Sequence, residues 1–330
     1  MPASAGRPAV IVTRGGVVES VHSAHVVVAP ADGPPVEVLG DGGSVVYPRS
    51  ALKPLQALAV RAQLGEHGAT PDVRQLAIAC ASHRGADDHQ VEAAGLLAEA
   101  GLDESALRCP AAWPEDAAVR SDLDAPTTLS HNCSGKHAAF LWAHTAAGEP
   151  AGSYLDPDSD LQQRIAARVG QVIGEALVGP GVDGCGAPAW RCSLSGLARG
   201  FARLEEGRDD DLRAVRAAMT AHPHLIGGEG TADTAMMLSD TRVVAKRGAE
   251  GIMACGFTHP AHGPLGIAVK VLDGAERAAG PLAAAVCHAL GAVVPTEVLR
   301  TPVLGGGRPQ GEVVATPDVA AVTTEAFGLA

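Results

Sequence analysis

Hydrophobic periodicity changes twice along this chain, and this change constrains the fold more than any other feature of the sequence. Strand-like runs rich in valine occupy residues 9–13, 17–28, 36–39 and 45–46, separated by glycine-rich turns. From Ser50 onward, apolar residues recur at helical spacing, and after residue 240 short strand-like runs return. Because strands are not interleaved with helices, we expect an α+β fold rather than alternating βαβ units.

This order of elements predicts two subdomains in one catalytic unit. Residues 1–46 and 240–330 are expected to form a sheet subdomain and residues 47–239 a mostly helical one, with the functional site between them. Strands from both ends of the chain would complete one antiparallel sheet, and a tail punctuated by glycine and proline closes the chain. Helices are expected from Ser50 and over residues 71–80, 87–100, 135–147, 160–177, 194–204, 212–221, 231–238 and 275–290.

Charge and composition limit the kinds of partner that this chain is expected to bind. The chain has 25 basic and 37 acidic residues, a net charge of −12 at pH 7, so we expect neither a nucleic acid nor an anionic membrane as a partner. No apolar run approaches the roughly 18 residues of a membrane span. Residues 1–8 lack the basic and apolar regions of a signal peptide, which predicts a cytoplasmic protein. The seven cysteines then indicate free thiols or metal ligands rather than disulfides.

The segment YPRSALK, residues 47–53, contains the first candidate catalytic pair. Its S-x-x-K spacing, at the start of a predicted helix, places the Lys53 amine one turn from the Ser50 hydroxyl. A lysine can take the proton of a serine only if burial or nearby positive charge lowers its pKa. Arg49 could contribute that charge or bind a substrate carboxylate. The alternative is a helix cap followed by a surface lysine, because S-x-x-K often occurs by chance.

Two further positions favour the catalytic interpretation. Ser82 follows a predicted helix, and Lys246 begins the tripeptide K-R-G on a late strand. In penicillin-recognising enzymes an S-x-x-K motif, a second polar motif and a K-T-G motif occur in this order. Here Arg247 occupies the middle of the last motif and no S-x-N tripeptide follows Ser82. A β-lactam substrate is therefore not favoured.

A second cluster combines the segments HNCSGKH, residues 131–137, and DGCGAP, residues 183–188. Two loop cysteines with a histidine nearby can bind zinc, although the spacing matches no C-x-x-C zinc pattern. The alternative is that Cys133 is a small buried residue and His137 an ordinary helical residue.

Taken together, these segments resemble the asparaginase II proteins of the rhizobial type. The resemblance is carried by ASH at 81–83, NCSGKH at 132–137, DGC at 183–185 and GEG at 228–230, and extends from about Gly15 to Val271. It implies the fold of serine β-lactamases and glutaminases, hydrolysis of L-asparagine to L-aspartate and ammonia, and a homodimer.

The same resemblance assigns roles to individual residues. Asp183 suits the substrate's α-ammonium group and Arg49 its α-carboxylate. Where the family can carry a cysteine, this chain has Asp233, which excludes thiol chemistry at that position. The implied catalytic pairs are Ser50 with Lys53 and Ser82 with Lys246, the zinc ligands are Cys133, Lys136 and Cys185, and the substrate-binding residues are Arg49, His137 and Asp183.

We therefore expect an L-asparaginase in which Ser50, deprotonated by neutral Lys53, attacks the side-chain amide and forms an acyl-enzyme that water hydrolyses. Lys246 and Ser82 would position groups and relay protons, with Lys246 also neutral. The sequence leaves open which serine attacks. Two alternatives remain, a penicillin-recognising serine hydrolase and a non-catalytic zinc-binding regulator, and ammonia release from asparagine would separate them from an asparaginase.

Overall fold

The computed structural model describes residues 7–121 and 123–329. Most of the N-terminal segment used for the signal-peptide prediction, residues 1–6, lies outside this range. The chain divides into two compact units. The first comprises Met1–Ala51, Cys192–Glu206 and Gly230–Ala330, and the second comprises Leu52–Arg191 and Gly207–Glu229. None of the helices within the described ranges is both long and apolar enough to cross a lipid bilayer.

The elements follow one another along the chain with these bounds. The strands are β1 (Arg7–Arg14), β2 (Val17–Pro30), β3 (Val36–Leu39), β4 (Val45–Val46), β5 (Val178–Val182), β6 (Pro188–Ser193), β7 (Val243–Gly248), β8 (Ile252–His259), β9 (Gly263–Val271), β10 (Arg300–Gly305) and β11 (Arg308–Ala315). The helices are α1 (Lys53–Glu66), α2 (Val73–Ala79), α3 (Asp87–Glu99), α4 (Ala117–Ser121), α5 (Ser134–Ala146), α6 (Asp160–Ile173), α7 (Leu194–Glu206), α8 (Asp210–Ala221), α9 (Pro223–Gly227), α10 (Ala232–Ser239), α11 (Glu276–Ala289), α12 (Thr296–Leu299) and α13 (Pro317–Ala326).

The first unit is built on an antiparallel sheet with the strand order β10-β11-β1-β2-β9-β8-β7, and β3 pairs with β2. Strand β2 pairs with β9 from Ala24 opposite Val271 to Pro30 opposite Leu265, which joins the N-terminal strands to the C-terminal ones. This confirms the predicted α+β class and the sheet shared by the two ends of the chain.

Helices cover both faces of the centre of this sheet. Consecutive residues of β2, from Ala24 to Ala29, are fully or almost fully buried, which requires cover on both sides. Helix α7 packs on β2, β8 and β9, and α11 packs on β8, β9 and β11. Gly266 permits the close approach of α7, because a Cβ atom there would lie 1.7 Å from the carbonyl oxygen of Ala198.

The second unit is mainly helical. Helix α1 packs against α5, α6 and α8, and α2 packs against α3, α5 and α8. Gly135, in the first turn of α5, allows that helix to touch α2, since a Cβ atom there would lie 2.4 Å from the carbonyl oxygen of Ile78. The hairpin of β5 and the beginning of β6 completes this unit.

Several elements differ from expectation. Helix α6 ends at Ile173, earlier than predicted, because Gly174 adopts the left-handed conformation with φ of 80°. Helix α2 begins at Val73, two residues later than predicted, because Asp72 caps it through a capping box with Gln75. Strand β4 pairs with the end of β6, at Cys192 and Ser193, and so does not extend the N-terminal meander. The tail forms β10, β11 and α13, and β11 pairs with β1.

Candidate active site

Lys53 is the first residue of α1 and only 2 % of its surface is exposed. The following Pro54 fits the first turn, where its missing N–H is not needed. The Nζ atom of Lys53 donates to the Oγ atom of Ser82 at 3.0 Å, to the carbonyl oxygen of Ala81, and to the Sγ atom of Cys133 at 3.2 Å. The buried amine therefore contacts both the loop after α2 and the start of α5.

Hydrogen bonds hold the Ser82 loop against the start of α5. The backbone N–H of His83 donates to the carbonyl oxygen of Asn132 at 3.2 Å. The Nδ1 atom of His83 accepts from the backbone N–H of Gly85, so in the neutral ring the hydrogen is on Nε2, which donates to the Oγ atom of Ser134 at 3.0 Å. The ASH and NCS motifs are thus in direct contact.

The surroundings of Lys53 favour its neutral form. Burial lowers the pKa of Lys53, the deprotonated Cys133 opposes this effect, and the positive charge of Lys136 adds to it, so that the net shift of the pKa is downward. A lysine with a lowered pKa has a larger neutral fraction near neutral pH, and the neutral amine can accept a proton. Lys53 is therefore suited to act as a base.

Cys133 and Cys185 form a buried pair of thiols linked by a hydrogen bond. Cys133 is the residue before α5, where the helix dipole favours negative charge. The hydrogen bond from Cys185 lowers the pKa of Cys133 well below its usual range, with burial opposing and the two lysines, Lys53 and Lys136, assisting. The same hydrogen bond, together with burial, raises the pKa of Cys185. Of the two thiols, Cys133 is therefore the more acidic.

Lys136, one turn into α5, lies beside this pair, and its Nζ atom is 3.2 Å from the Sγ atom of Cys185. Burial lowers the pKa of Lys136, but its interactions with Cys185, Cys133 and Asp183 outweigh burial and the net shift is upward. Without a metal ion, Lys136 is therefore an ammonium group beside the pair of cysteines.

The implied zinc ligands fit one ion in their chemistry and spacing. Within residues 7–121 and 123–329, no three His, Cys, Asp or Glu side chains are grouped to hold a metal. A zinc site here therefore depends on the Lys136 nitrogen in addition to Cys133 and Cys185. The Lys136 nitrogen lies 3.2 Å from the Cys185 sulfur, which is near the roughly 3.5 Å that separates two ligand atoms of a tetrahedral zinc ion. The Nε2 atom of neighbouring His137 is buried, and the His137 ring is hydrogen-bonded to Cys185, so this histidine lies beside the implied ligands.

The remaining substrate-binding candidates of this unit lie on α5 and on the hairpin turn. Burial lowers the pKa of His137 to about 4, so the ring is neutral, and its Nδ1 atom is 2.7 Å from the Tyr154 hydroxyl. Asp183 is half-buried at the beginning of the turn that contains Cys185, and its carboxylate accepts from the backbone N–H of Gly184 at 2.6 Å.

The first unit contains Arg49, Ser50 and Lys246. Arg49 has a φ of 52°, uncommon for a residue other than glycine, and begins a short 3-10 helix that includes the half-buried Ser50. Gly248 lets the end of β7 approach this segment, since a Cβ atom there would lie 2.4 Å from the carbonyl oxygen of Pro48. Fully buried Lys246 lies on the same strand, two residues before Gly248.

The observed contacts give two of the predicted residues partners that the sequence analysis did not assign. Ser82 contacts Lys53 at 3.0 Å, Lys246 lies 3.6 Å from Asp233, and the pairing of Ser82 with Lys246 stays a prediction. Sequence reasoning also missed the contact between His83 and Ser134. The signal for it was present, because both residues belong to the motifs already singled out.

Comparison with known proteins places the chain in a family. A sequence model of the family described as L-asparaginase II matches residues 10–315. Among curated protein sequences, none matches this chain significantly.

Solved structures with a similar chain path include glutaminases and β-lactamases. A Bacillus subtilis glutaminase in covalent complex with 5-oxo-L-norleucine is 11% identical, with a TM-score of 0.41, and the match covers 77% of this chain and 84% of that chain. A Bacillus glutaminase crystallised in 4.3 M NaCl is 11% identical, with a TM-score of 0.44 and coverage of 82% and 92%. A β-lactamase from Burkholderia vietnamiensis is 13% identical, with a TM-score of 0.39 and coverage of 93% of both chains.

Proposed function

The chain belongs to the L-asparaginase II family, and from this premise we propose that it hydrolyses L-asparagine to L-aspartate and ammonia. Family membership supports an amidohydrolase. The proposal adds three points to this: asparagine is the substrate, a Ser-Lys pair carries the mechanism, and a zinc ion is bound. The observation that carries it is the buried Lys53 amine, whose pKa is lowered and which lies at hydrogen-bond distance from Ser82.

We assign nucleophilic attack to Ser50 and the role of base to Lys53. The two residues are three positions apart, and the chain passes directly from the 3-10 helix Arg49–Leu52 into α1. The Ser50 Oγ atom attacks the amide carbon while its proton passes to the Lys53 Nζ atom. The carbon–nitrogen bond then breaks, the amide nitrogen takes the proton from Lys53 and leaves as ammonia, and an ester with Ser50 remains. Water, deprotonated by Lys53, hydrolyses that ester to release aspartate.

Ser82 supports this step by orienting the amine. Its Oγ atom accepts a hydrogen bond from Lys53 at 3.0 Å and can exchange a proton with it. Ser82 itself has 4 % of its surface exposed. A residue so deeply buried suits a positioning and relay role, while half-buried Ser50 suits attack on a substrate.

We propose that Cys133, Lys136 and Cys185 bind one Zn²⁺ per chain. Zinc holds thiolate ligands and, here, a neutral amine, so binding must remove the protons of Cys185 and Lys136. When bound, the ion supplies a Lewis acid that can polarise a substrate group or fix the turn carrying Cys185. On the protein side, Asp183 and Arg49 would bind the α-ammonium and α-carboxylate groups of the substrate.

The deciding experiment is release of ammonia and aspartate by the purified protein, with L-asparagine, L-glutamine and nitrocefin as separate substrates. We expect stoichiometric ammonia and aspartate from asparagine. Turnover of nitrocefin alone would favour the penicillin-recognising alternative. Zinc binding without turnover of any amide would favour the non-catalytic regulator.

Two properties of the assembly complete the proposal. We propose a cytoplasmic homodimer that binds a small-molecule substrate and neither nucleic acid nor membrane. The acidic net charge of −12 supports the absence of polyanionic partners. Light scattering of the purified protein tests the dimer, because a monomer mass would contradict it.

A further inference from the structure

We propose that Asp233 holds Lys246 as an ammonium ion, so that Lys246 serves the reaction as a fixed positive charge and not as a base. Asp233 is then a positioning residue that acts through Lys246. This inference rests on the proposed function insofar as Lys246 takes part in amide hydrolysis.

The two side chains form an ion pair that is completely buried. Asp233 is the second residue of α10 and Lys246 lies on β7, and neither has any surface exposed. The Lys246 Nζ atom is 3.6 Å from the Oδ2 atom of Asp233. It also donates to the carbonyl oxygen of Arg247 at 3.1 Å. The ammonium is thus held from two sides.

The carboxylate is anchored independently of the lysine. Its Oδ2 atom accepts from the backbone N–H of Arg247 at 3.1 Å, and its Oδ1 atom accepts from the backbone N–H of Thr234 at 3.1 Å. These bonds tie the start of α10 to the residue after Lys246 on β7. The negative charge is therefore fixed in place before any substrate binds.

Charge balance requires that the lysine be protonated. Burial raises the pKa of Asp233, but the positive charges of Lys246 and Arg247 outweigh burial and the net shift is downward. A carboxylate removed from water is strongly unfavourable unless a cation compensates it. At neutral pH, the buried Asp233 carboxylate therefore keeps the proton on Lys246.

The titratable groups on the neighbouring elements do not take the place of Asp233 or Lys246 in the ion pair. On β8, a hydrogen bond with Cys287 of α11, together with burial, raises the pKa of Cys255 well above its usual range, so this thiol stays neutral beside Asp233. Glu205 of α7 bonds to Thr258, and Glu297 of α12 is exposed. The guanidinium group of Arg247 is a second cation that acts on the Asp233 carboxylate.

An ammonium ion and a neutral amine at the position of Lys246 predict opposite changes of enzymatic activity with pH. A fixed cation is active in its protonated form, so activity is lost as the pH rises through the pKa of the lysine. A base is active in its neutral form, so activity is lost as the pH falls. Removing the negative charge of Asp233 lowers the pKa of Lys246 in either case. If Lys246 acts as a cation, the alkaline limb of the activity profile moves to lower pH. If it acts as a base, the acidic limb moves to lower pH.

The test is the pH profile of kcat/KM for asparagine hydrolysis in wild type, Asp233→Asn, Asp233→Glu and a control, Asp240→Asn. Asp240 is a buried aspartate paired with Arg242, outside the proposed site. In Asp233→Asn we expect the alkaline limb to move to lower pH by about one unit or more, equal to a tenfold change in proton affinity. Asp233→Glu keeps the negative charge and should therefore show a smaller shift than Asp233→Asn. Asp240→Asn should leave both limbs in place.

Two results would overturn the proposal. One is a profile of Asp233→Asn with both limbs unmoved, even if the protein is less stable, because that is the signature of a purely structural role. The other is a downward shift of the acidic limb, with higher activity at low pH, because Lys246 would then act as a neutral base.

A stability measurement tests the ion pair without any substrate. Asp233→Asn leaves an unpaired buried cation, whereas the double variant Asp233→Asn with Lys246→Met leaves no charge. We expect the double variant to unfold at a higher temperature than Asp233→Asn. An equal or lower unfolding temperature contradicts the pair. If wild type hydrolyses no amide, the proposed function fails while this comparison still decides whether the pair exists.

Discussion

The Nζ atom of Lys53 lies 3.0 Å from the Oγ atom of Ser82, although the two residues are 29 positions apart. The contact exists because α2 ends at Ala79 and the following loop is bound to the start of α5. Both side chains are buried, so the hydrogen bond is protected from water and from salt. This contact links the S-x-x-K motif to the second serine motif.

The two serines should respond differently to removal of the hydroxyl. We expect Ser50→Ala to lower kcat by about 10³-fold or more and to abolish the acyl-enzyme, because it removes the proposed nucleophile. Ser82→Ala should lower kcat by about 10²-fold and still form an acyl-enzyme, because Lys53 loses only a partner. Rapid-quench mass spectrometry measures the ester. An ester on Ser82 in the Ser50→Ala variant would reverse the assignment.

Zinc content should depend on two cysteines and not on a third. Elemental analysis of the wild type purified without chelator should give one zinc per chain. Cys133→Ser and Cys185→Ser should each lose the metal. Cys109→Ser is the matched control, because burial raises the pKa of Cys109 to about 12 and leaves it an inert buried thiol. Stoichiometric zinc in Cys133→Ser would contradict the ligand set.

Activity should rise from acid pH through neutrality. Burial lowers the pKa of Lys53, but below that pKa the amine is still protonated and cannot accept the serine proton. The acidic limb of kcat/KM should therefore report Lys53, and we expect an optimum at about pH 8 to 9. His137, with a pKa of about 4, stays neutral throughout this range. A maximum near pH 5 would show that a carboxylate or a histidine is the base.

The contact between α2 and α5 should be sensitive to a single methyl group. Gly135→Ala places a Cβ atom 2.4 Å from a backbone oxygen and should destabilise the fold by about 1–3 kcal/mol. Gly95→Ala, at an exposed position of helix α3 with nothing within 4 Å of the new Cβ atom, should be neutral or stabilise by up to about 1 kcal/mol. Urea unfolding compares the two. A stable Gly135→Ala variant would mean that the helices can separate without cost.

Strong local patterns predicted most elements of the fold. Helix α3 begins at Asp87 as expected because acidic residues start its first turn, and β3 and β4 have the expected bounds. The hairpin formed by β5 was missed because three of its five residues are glycine or proline. Strands β10 and β11 were missed for a related reason, since the glycines at 305–307 resemble a loop but end β10 and form the turn of an edge hairpin.

The candidate site was predictable as a set of residues but not as a set of contacts. S-x-x-K spacing is local, so Ser50 and Lys53 could be proposed together. The partner of Ser82 depends on where α2 ends and how Gly135 lets it meet α5, and no periodicity encodes that contact. The burial of Asp233 was also invisible in the sequence, because aspartate is seldom buried unless it is paired.

The most direct test of the account is kcat for ammonia release from L-asparagine by Lys53→Met, compared with the wild type. Methionine keeps the length and packing of the side chain and removes the base, so we expect kcat to fall by about 10³-fold or more with an unchanged circular dichroism spectrum. Gln56→Met, one turn further along α1 and also buried, should retain near wild-type kcat. A Lys53→Met variant that folds and keeps near wild-type kcat would contradict the central claim.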